Sequence, residues 1–88
     1  MELKLLREFV INRPEGLMPS LDHLLNRLGE HGEVQAVMVN GDTFSMHLGD
    51  MGEVTPECLY LQDREGQVWL LAGCHIVSVF THLGYKEN

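Results

Sequence analysis

The chain has 88 residues, of which 44% are hydrophobic and 22% are charged, so it is long enough for one folded domain and too apolar for a disordered one. Its 13 acidic residues outnumber its 6 lysines and arginines, and the net charge of −7 argues against general binding to nucleic-acid phosphates. Because no apolar run approaches the roughly 18 residues of a membrane span and no signal peptide is recognisable, we predict a cytoplasmic protein whose two cysteines are free thiols.

The first 32 residues predict a helical segment. Residues 2–11 have apolar side chains at helical spacing, although residues 8–11 could equally form a strand. A break follows at residues 12–16, where Pro14 removes a backbone donor and Gly16 frees the backbone. The next helix is clearer, because it begins at Pro19 or Ser20 and ends at Gly29 or Gly32. Its apolar stripe consists of Leu21, Leu24, Leu25 and Leu28.

From Glu33 onwards the apolar side chains alternate with a period of two, which predicts strands. Five strands are expected, at residues 34–39, 44–48, 58–62, 67–72 and 75–80, with a hairpin turn at Asn40-Gly41 and a loop at residues 49–56. Short strands joined by tight turns must close, or nearly close, to cover their edges. The predicted fold is therefore a mostly β, α+β single domain over residues 1–88. It comprises an N-terminal helix (or two) within residues 1–32 and a five-stranded antiparallel barrel at 33–82.

Two segments of this region resemble the motifs of the Sm-like family, which includes the LSm and Hfq-related proteins. Residues 37–48 (VMVNGDTFSMHL) resemble the first motif, and residues 71–79 (LAGCHIVSV) resemble the second. Gly73 is the most telling position, because the chain must turn sharply there between two strands. The resemblance covers residues 34–80 and implies a helix followed by a strongly bent, SH3-like barrel that assembles into rings.

The resemblance also locates candidate ligand loops. The family's RNA base pocket uses an Asp and an Asn around the loop before the third strand, together with an Arg in the second motif. Here the Asn position corresponds to Cys58, the Arg position to Ala72, and the Asp position to either Asp50 or Gly52. Most of the base-reading side chains are therefore replaced, and RNA binding by the family's usual route is not expected. The candidate loop residues are Asp50, Cys58, Gly73 and Cys74.

Ring assembly in the family pairs the fourth strand of one subunit with the fifth strand of the next. In this chain the pairing implied is residues 68–72 against residues 76–80. Trp69 alternates with Val68 and Leu70, so it faces away from them, either at an outer surface or interface or beneath the N-terminal helices. The candidate interface residues are Trp69, Leu71, Ile76, Val77 and Val79.

Metal and catalytic sites find little support in the sequence. Cys74 and His75 are adjacent, so their side chains should diverge on a strand, and no second pair with metal-ligand spacing accompanies them. No nucleophile is paired with a base by any recognisable spacing. We therefore expect no metal, no cofactor and no enzymatic activity.

Three functions remain open at this stage. The favoured prediction is a non-catalytic binding or assembly protein that forms a homo-oligomeric ring or dimer, with an unknown ligand and no membrane partner. The first alternative is an LSm-type protein that binds single-stranded RNA through backbone groups and the loops around Asp50 and Gly73. The second is a small thiol-dependent or redox-responsive protein that uses Cys58 and Cys74.

Overall fold

The computed structural model describes residues 1–81 and is an α+β fold of two helices and antiparallel strands. The helices are α1 (Leu6–Ile11) and α2 (Pro19–His31). The seven strands are β1 (Lys4–Leu5), β2 (Glu33–Met38), β3 (Thr43–His47), β4 (Met51–Val54), β5 (Cys58–Gln62), β6 (Val68–Ala72) and β7 (Ile76–Phe80). A turn of 3-10 helix at Gly73–His75 separates β6 from β7.

Helix α2 follows the sequence prediction closely. Pro19 occupies the first turn, and Gly32 ends the helix in a left-handed conformation with φ of 82° and an N–H that donates to Leu28 O. All four leucines of the predicted stripe are fully buried. The N-terminal prediction is confirmed for residues 6–11, which are helical, so the alternative of a strand at 8–11 is wrong. No helix within residues 1–81 has the length and apolar character needed to cross a bilayer.

The strands form two sheets. One sheet has the order β1-β4-β5-β6, and the other has the order β3-β2-β7. Strand β2 lies at the centre of the second sheet, and its register with β7 shifts between Val37 and Met38. The two inner faces and the leucine face of α2 enclose one core, to which Leu6 of α1 contributes.

The sequence prediction of one closed five-stranded sheet needs correction. The segment predicted as a loop, residues 49–56, contains β4, which pairs with β5 on one side and with the unpredicted β1 on the other. β3 does not pair with β4, and β6 does not pair with β7. Residues 1–81 therefore contain two sheets rather than one closed barrel. Residue 82, the last residue of the predicted barrel, lies outside the described residues.

The start of α1 is fixed by the turn that joins β3 to β4. Leu6 N donates to Asp50 O at 2.8 Å, and Arg7 N donates to Leu48 O at 3.1 Å. These bonds satisfy two of the amide groups that a helix leaves without a partner at its first turn. The short strand β1 therefore belongs to the four-stranded sheet, and α1 is held beside it by hydrogen bonds to the β3–β4 turn and by the burial of Leu6.

Candidate functional site

Three of the four predicted loop residues lie at one end of the molecule. Cys58 opens β5 and pairs in register with Ala72, the residue before Gly73, and Gly73 N donates to Glu57 O at 2.8 Å. Cys74 follows in the 3-10 turn and is exposed, whereas Cys58 is half-buried. The structure thus brings together the two loops that the sequence comparison paired.

Asp50 is not part of that group. It lies in the β3–β4 turn, and the register of Gly52 with Leu61 places it at the far end of β5 from Cys58. At about 3.3 Å per residue, β5 separates the two by roughly 13 Å along the strand. The sequence prediction that Asp50 shares a site with Cys58 and Gly73 is therefore wrong, because β4 takes up the residues that were expected to form a loop.

The paired loops are covered by the beginning of α2. Met18 N donates to Pro56 O at 2.9 Å, and the Ser20 hydroxyl donates to Gly73 O at 2.7 Å. A Cβ placed on Gly73 would collide with the Met18 sulfur, so the methionine side chain lies directly against this glycine. Backbone groups of both loops are thus engaged within the chain itself.

The predicted interface residues differ in how far they are exposed. Leu71 is fully buried in the core, so the prediction that its side chain belongs to an interface is wrong. Ile76 and Val79 are partly buried and pack against the core, whereas Val77 is 61% exposed. The strand that contains Leu71 instead exposes Val68, Trp69 and Leu70.

Trp69 lines a cleft that opens between the two sheets. The cleft has a volume of about 450 Å³, and two of its lining residues, Trp69 and Phe44, pack against each other with ring centroids 5.6 Å apart and a tilt of 56° between the rings. Trp69 is 41% exposed, so it is not packed beneath the helices. The lining residues come from β3, the β3–β4 turn and the β5–β6 hairpin: Thr43, Phe44, Ser45, His47, Gly49, Asp50, Met51, Leu61, Gln62, Asp63, Arg64 and Trp69.

Asp63 holds the hairpin and the tryptophan in place. Its Oδ1 accepts hydrogen bonds from Glu65 N at 2.9 Å and Gln67 N at 2.8 Å, and its Oδ2 accepts one from Trp69 Nε1 at 2.8 Å. The Trp69 N–H, followed by the backbone donors, holds the pKa of the Asp63 carboxyl below its ordinary value. Asp63 is therefore a fixed negative charge in the cleft at neutral pH.

We expect acid to release Trp69 from Asp63. Because the pKa of Asp63 is lower in the folded state, the unfolded chain takes up the proton first as the pH falls. The stabilisation is fully present above the ordinary aspartate pKa and is lost as the pH falls from about 4 through the lowered value. Fluorescence of the single tryptophan should show this acid transition in the native protein and in Asp42→Asn, and Asp63→Asn should lack it. Identical titrations of all three proteins would contradict the assignment.

Two of the basic residues are engaged near the helices. Arg13 Nη1 lies 2.6 Å from Asp22 Oδ1, and Arg27 Nη1 lies 3.9 Å from Glu30 Oε1. The paired loops at residues 55–57 and 73–75 contain Glu57 and no lysine or arginine.

Within residues 1–81, no group of three or more histidine, cysteine, aspartate or glutamate side chains is placed to hold a metal ion. Lys86 lies outside the described residues.

The cleft was not predicted from the sequence. Phe44 and Trp69 were each assigned to strands, but they are 25 positions apart along the chain and meet only because β3 and β6 belong to facing sheets. One local signal was available, since the turn at residues 63–66 begins with an aspartate and ends with a glycine, which is typical of a side-chain-capped hairpin.

No family model, no curated protein and no solved structure matches this chain.

Proposed function

We propose that this chain is a non-catalytic assembly module that forms homo-oligomers by pairing β6 of one copy with β7 of the next. The proposal depends on two uncharged edge strands that expose apolar side chains. Among residues 1–81, strand β6 ends the four-stranded sheet and β7 ends the three-stranded sheet. Neither strand contains a charged residue or a proline, and both expose apolar side chains.

Such edges are unusual in a protein that stays monomeric. An unpaired strand presents a row of free N–H and C=O groups, and soluble proteins protect these rows with charges, prolines or bulges. Here Leu70 is 58% exposed and Val77 is 61% exposed. By contrast, the edge strand β3 exposes polar side chains at Thr43, Ser45 and His47. Pairing β6 with β7 of a second copy would satisfy both rows and bury the apolar side chains.

The order of the elements supports an Sm-like architecture for the module. The first and last strands after α2 pair with each other, as the ends of a small barrel do. Strands β3 and β4 are separated by only three residues, 48–50, and in this proposal they correspond to the two halves of one bent barrel strand. In this proposal the two sheets are the two halves of the bent barrel. A head-to-tail contact between β6 and β7 then produces a ring or a filament.

The RNA-binding and thiol alternatives receive less support. The loops at residues 55–57 and 73–75 are bonded to Met18 and Ser20 and contain no lysine or arginine. The loop around Asp50 is bonded to the backbone at the start of α1. Cys58 is half-buried, and neither cysteine is given a nearby base by the described hydrogen bonds. A salt-sensitive mobility shift with short single-stranded RNA would nevertheless favour the first alternative over assembly alone.

Two lysine variants, one on each edge strand, test the proposed interface. The wild-type chain should show a mass above that of one 10.0 kDa chain by size-exclusion chromatography with light scattering. Leu70→Lys and Val77→Lys should each lower the mass, because a lysine on either edge opposes close pairing. Since each variant keeps one intact edge, an equimolar mixture should form a one-to-one dimer.

The matched control is Ile11→Lys, which changes a side chain that is 76% exposed at the end of α1. It should assemble like the wild type. A strictly monomeric wild type would contradict the proposal. If Val77→Lys assembled normally while Leu70→Lys did not, a symmetric contact between two β6 strands would replace the head-to-tail one.

A further inference from the structure

We propose that the cleft beside β3 binds an extended peptide segment that carries a basic side chain, and that this segment adds to the free edge of β3. The cleft is separate from the proposed assembly edges, because Val68 and Leu70 alternate with Trp69 and face the opposite side of β6. Trp69 faces the cleft, where its ring meets Phe44. The inference therefore concerns a second partner and a different surface.

The backbone of β3 makes the cleft suitable for a strand. Within residues 1–81, β3 pairs with β2 on one side and with no strand on the other. Four residues of this strand line the cleft: Thr43, Phe44, Ser45 and His47. An extended segment lying there would complete the hydrogen bonds of β3, which is how many domains bind peptides. The volume of about 450 Å³ is in the range of small binding sites.

The side chains of the cleft determine which residue the segment should present. Asp50 and Asp63 supply two carboxylates, and Arg64 is the only lysine or arginine among the lining residues. Asp63 remains ionised because its pKa is lowered, and Asp50 is 37% exposed on its side chain. Trp69 is 41% exposed, its indole N–H is bonded to Asp63, and Asp50 lines the same cleft. An arginine or lysine is attracted both by carboxylates and by an aromatic ring. The chain's net charge of −7 also favours a positively charged ligand.

An anionic or nucleotide ligand fits the cleft less well. A phosphate would meet the carboxylates of Asp50 and Asp63, which repel it, beside Arg64 and His47. A base could stack on Trp69, but its backbone would have to pass the acids of the cleft. The aromatic pair and the carboxylates act together only for a cation.

Fluorescence of the single tryptophan reports binding directly, because Trp69 lies in the cleft. The probes are a short capped peptide of alternating threonine and valine with a central arginine, the same peptide with glutamate in place of arginine, and short single-stranded RNA. The arginine peptide should change the emission in a saturable and salt-sensitive manner, and amide hydrogen exchange in β3 should slow. The other two probes should leave the emission unchanged.

Two variants and one control locate the interaction. Phe44→Leu keeps an apolar side chain of similar volume but removes the aromatic face, and it should weaken binding by about tenfold. Asp50→Asn keeps an oxygen that can accept the His47 N–H and removes one charge, and it should weaken binding by about fivefold. Asp42→Asn removes a charge outside the cleft and should bind like the wild type.

Several results would overturn the inference. They are an unchanged Trp69 emission with the arginine peptide, equal responses to the glutamate peptide, or a response to RNA alone. An emission of the assembly-deficient Leu70→Lys variant that changes with protein concentration in the absence of peptide would show instead that a second copy of the chain fills the cleft. The assembly variants distinguish this test from the previous one, because Leu70→Lys should lose assembly while keeping peptide binding.

Discussion

Gly52→Ala should unfold much of the protein at temperatures where the wild type is stable. Gly52 lies between β1 and β5, in register with Lys4 on one side and Leu61 on the other. A Cβ at this position would lie far inside the van der Waals radius of Tyr60 O and 2.9 Å from Leu6 Cδ2. The carbonyl belongs to the neighbouring strand, so it cannot move without breaking the pairing of β4 with β5.

We expect this substitution to lower the free energy of unfolding by about 3 kcal/mol. Domains of this size have total stabilities of about 5 to 10 kcal/mol, so the melting temperature should fall by more than about 10 °C. Thermal unfolding followed by circular dichroism measures the effect. The matched control is Gly49→Ala, because the nearest atom to its added Cβ is Arg7 Nη2 at 3.9 Å, an ordinary contact. If both variants melted together, the close approach at Gly52 would be wrong.

Gly73→Val should also be damaging, and we expect it to lower the free energy of unfolding by about 2 kcal/mol or more. The sequence suggests a reason in the turn itself, since β-branched residues resist such conformations. In the structure Gly73 does not have a positive φ, and the constraint is the close approach of other groups. A Cβ would overlap the Met18 sulfur and lie 3.1 Å from Glu57 O.

A double-mutant cycle separates these two explanations. If Met18 causes the penalty, Gly73→Ala should cost about 1 kcal/mol less in a Met18→Ala background than in the wild type, because the overlapping side chain has been removed. Urea unfolding of the four proteins gives the coupling energy. An equal cost in both backgrounds would show that the backbone of the turn, and not Met18, causes the loss of stability.

The locally encoded elements could be predicted from the sequence. Helix α2 was predicted because its leucine spacing, its proline at the start and its glycine at the end agree with one another. The turn at Asn40-Gly41 was predicted for the same reason, and Gly41 has a φ of 94°. Strand β5 has the predicted bounds, since its alternating residues lie half in the core.

The errors share one physical cause. Strand β4 contains a glycine and is followed by a threonine and a proline, so local composition resembles a loop. It becomes a strand because β1, which is far away in the chain, pairs with one side of it and β5, which follows it in a hairpin, pairs with the other. This pairing also moves Asp50 away from Cys58. Alternation along β6 shows that Trp69 and Leu71 share a face, but it cannot show which of them the core covers.

The amino-acid sequence by itself determined the helix, the period-two region, the acidic character and the uncharged composition of β6 and β7. Only the tertiary structure decided that those two strands are edges, that Met18 covers Gly73, and that Phe44 and Trp69 pack together in one cleft. Local patterns record the preferences of neighbouring residues. Edges, covered loops and clefts depend instead on which distant segments pack together, and that choice is made by the burial of the whole core.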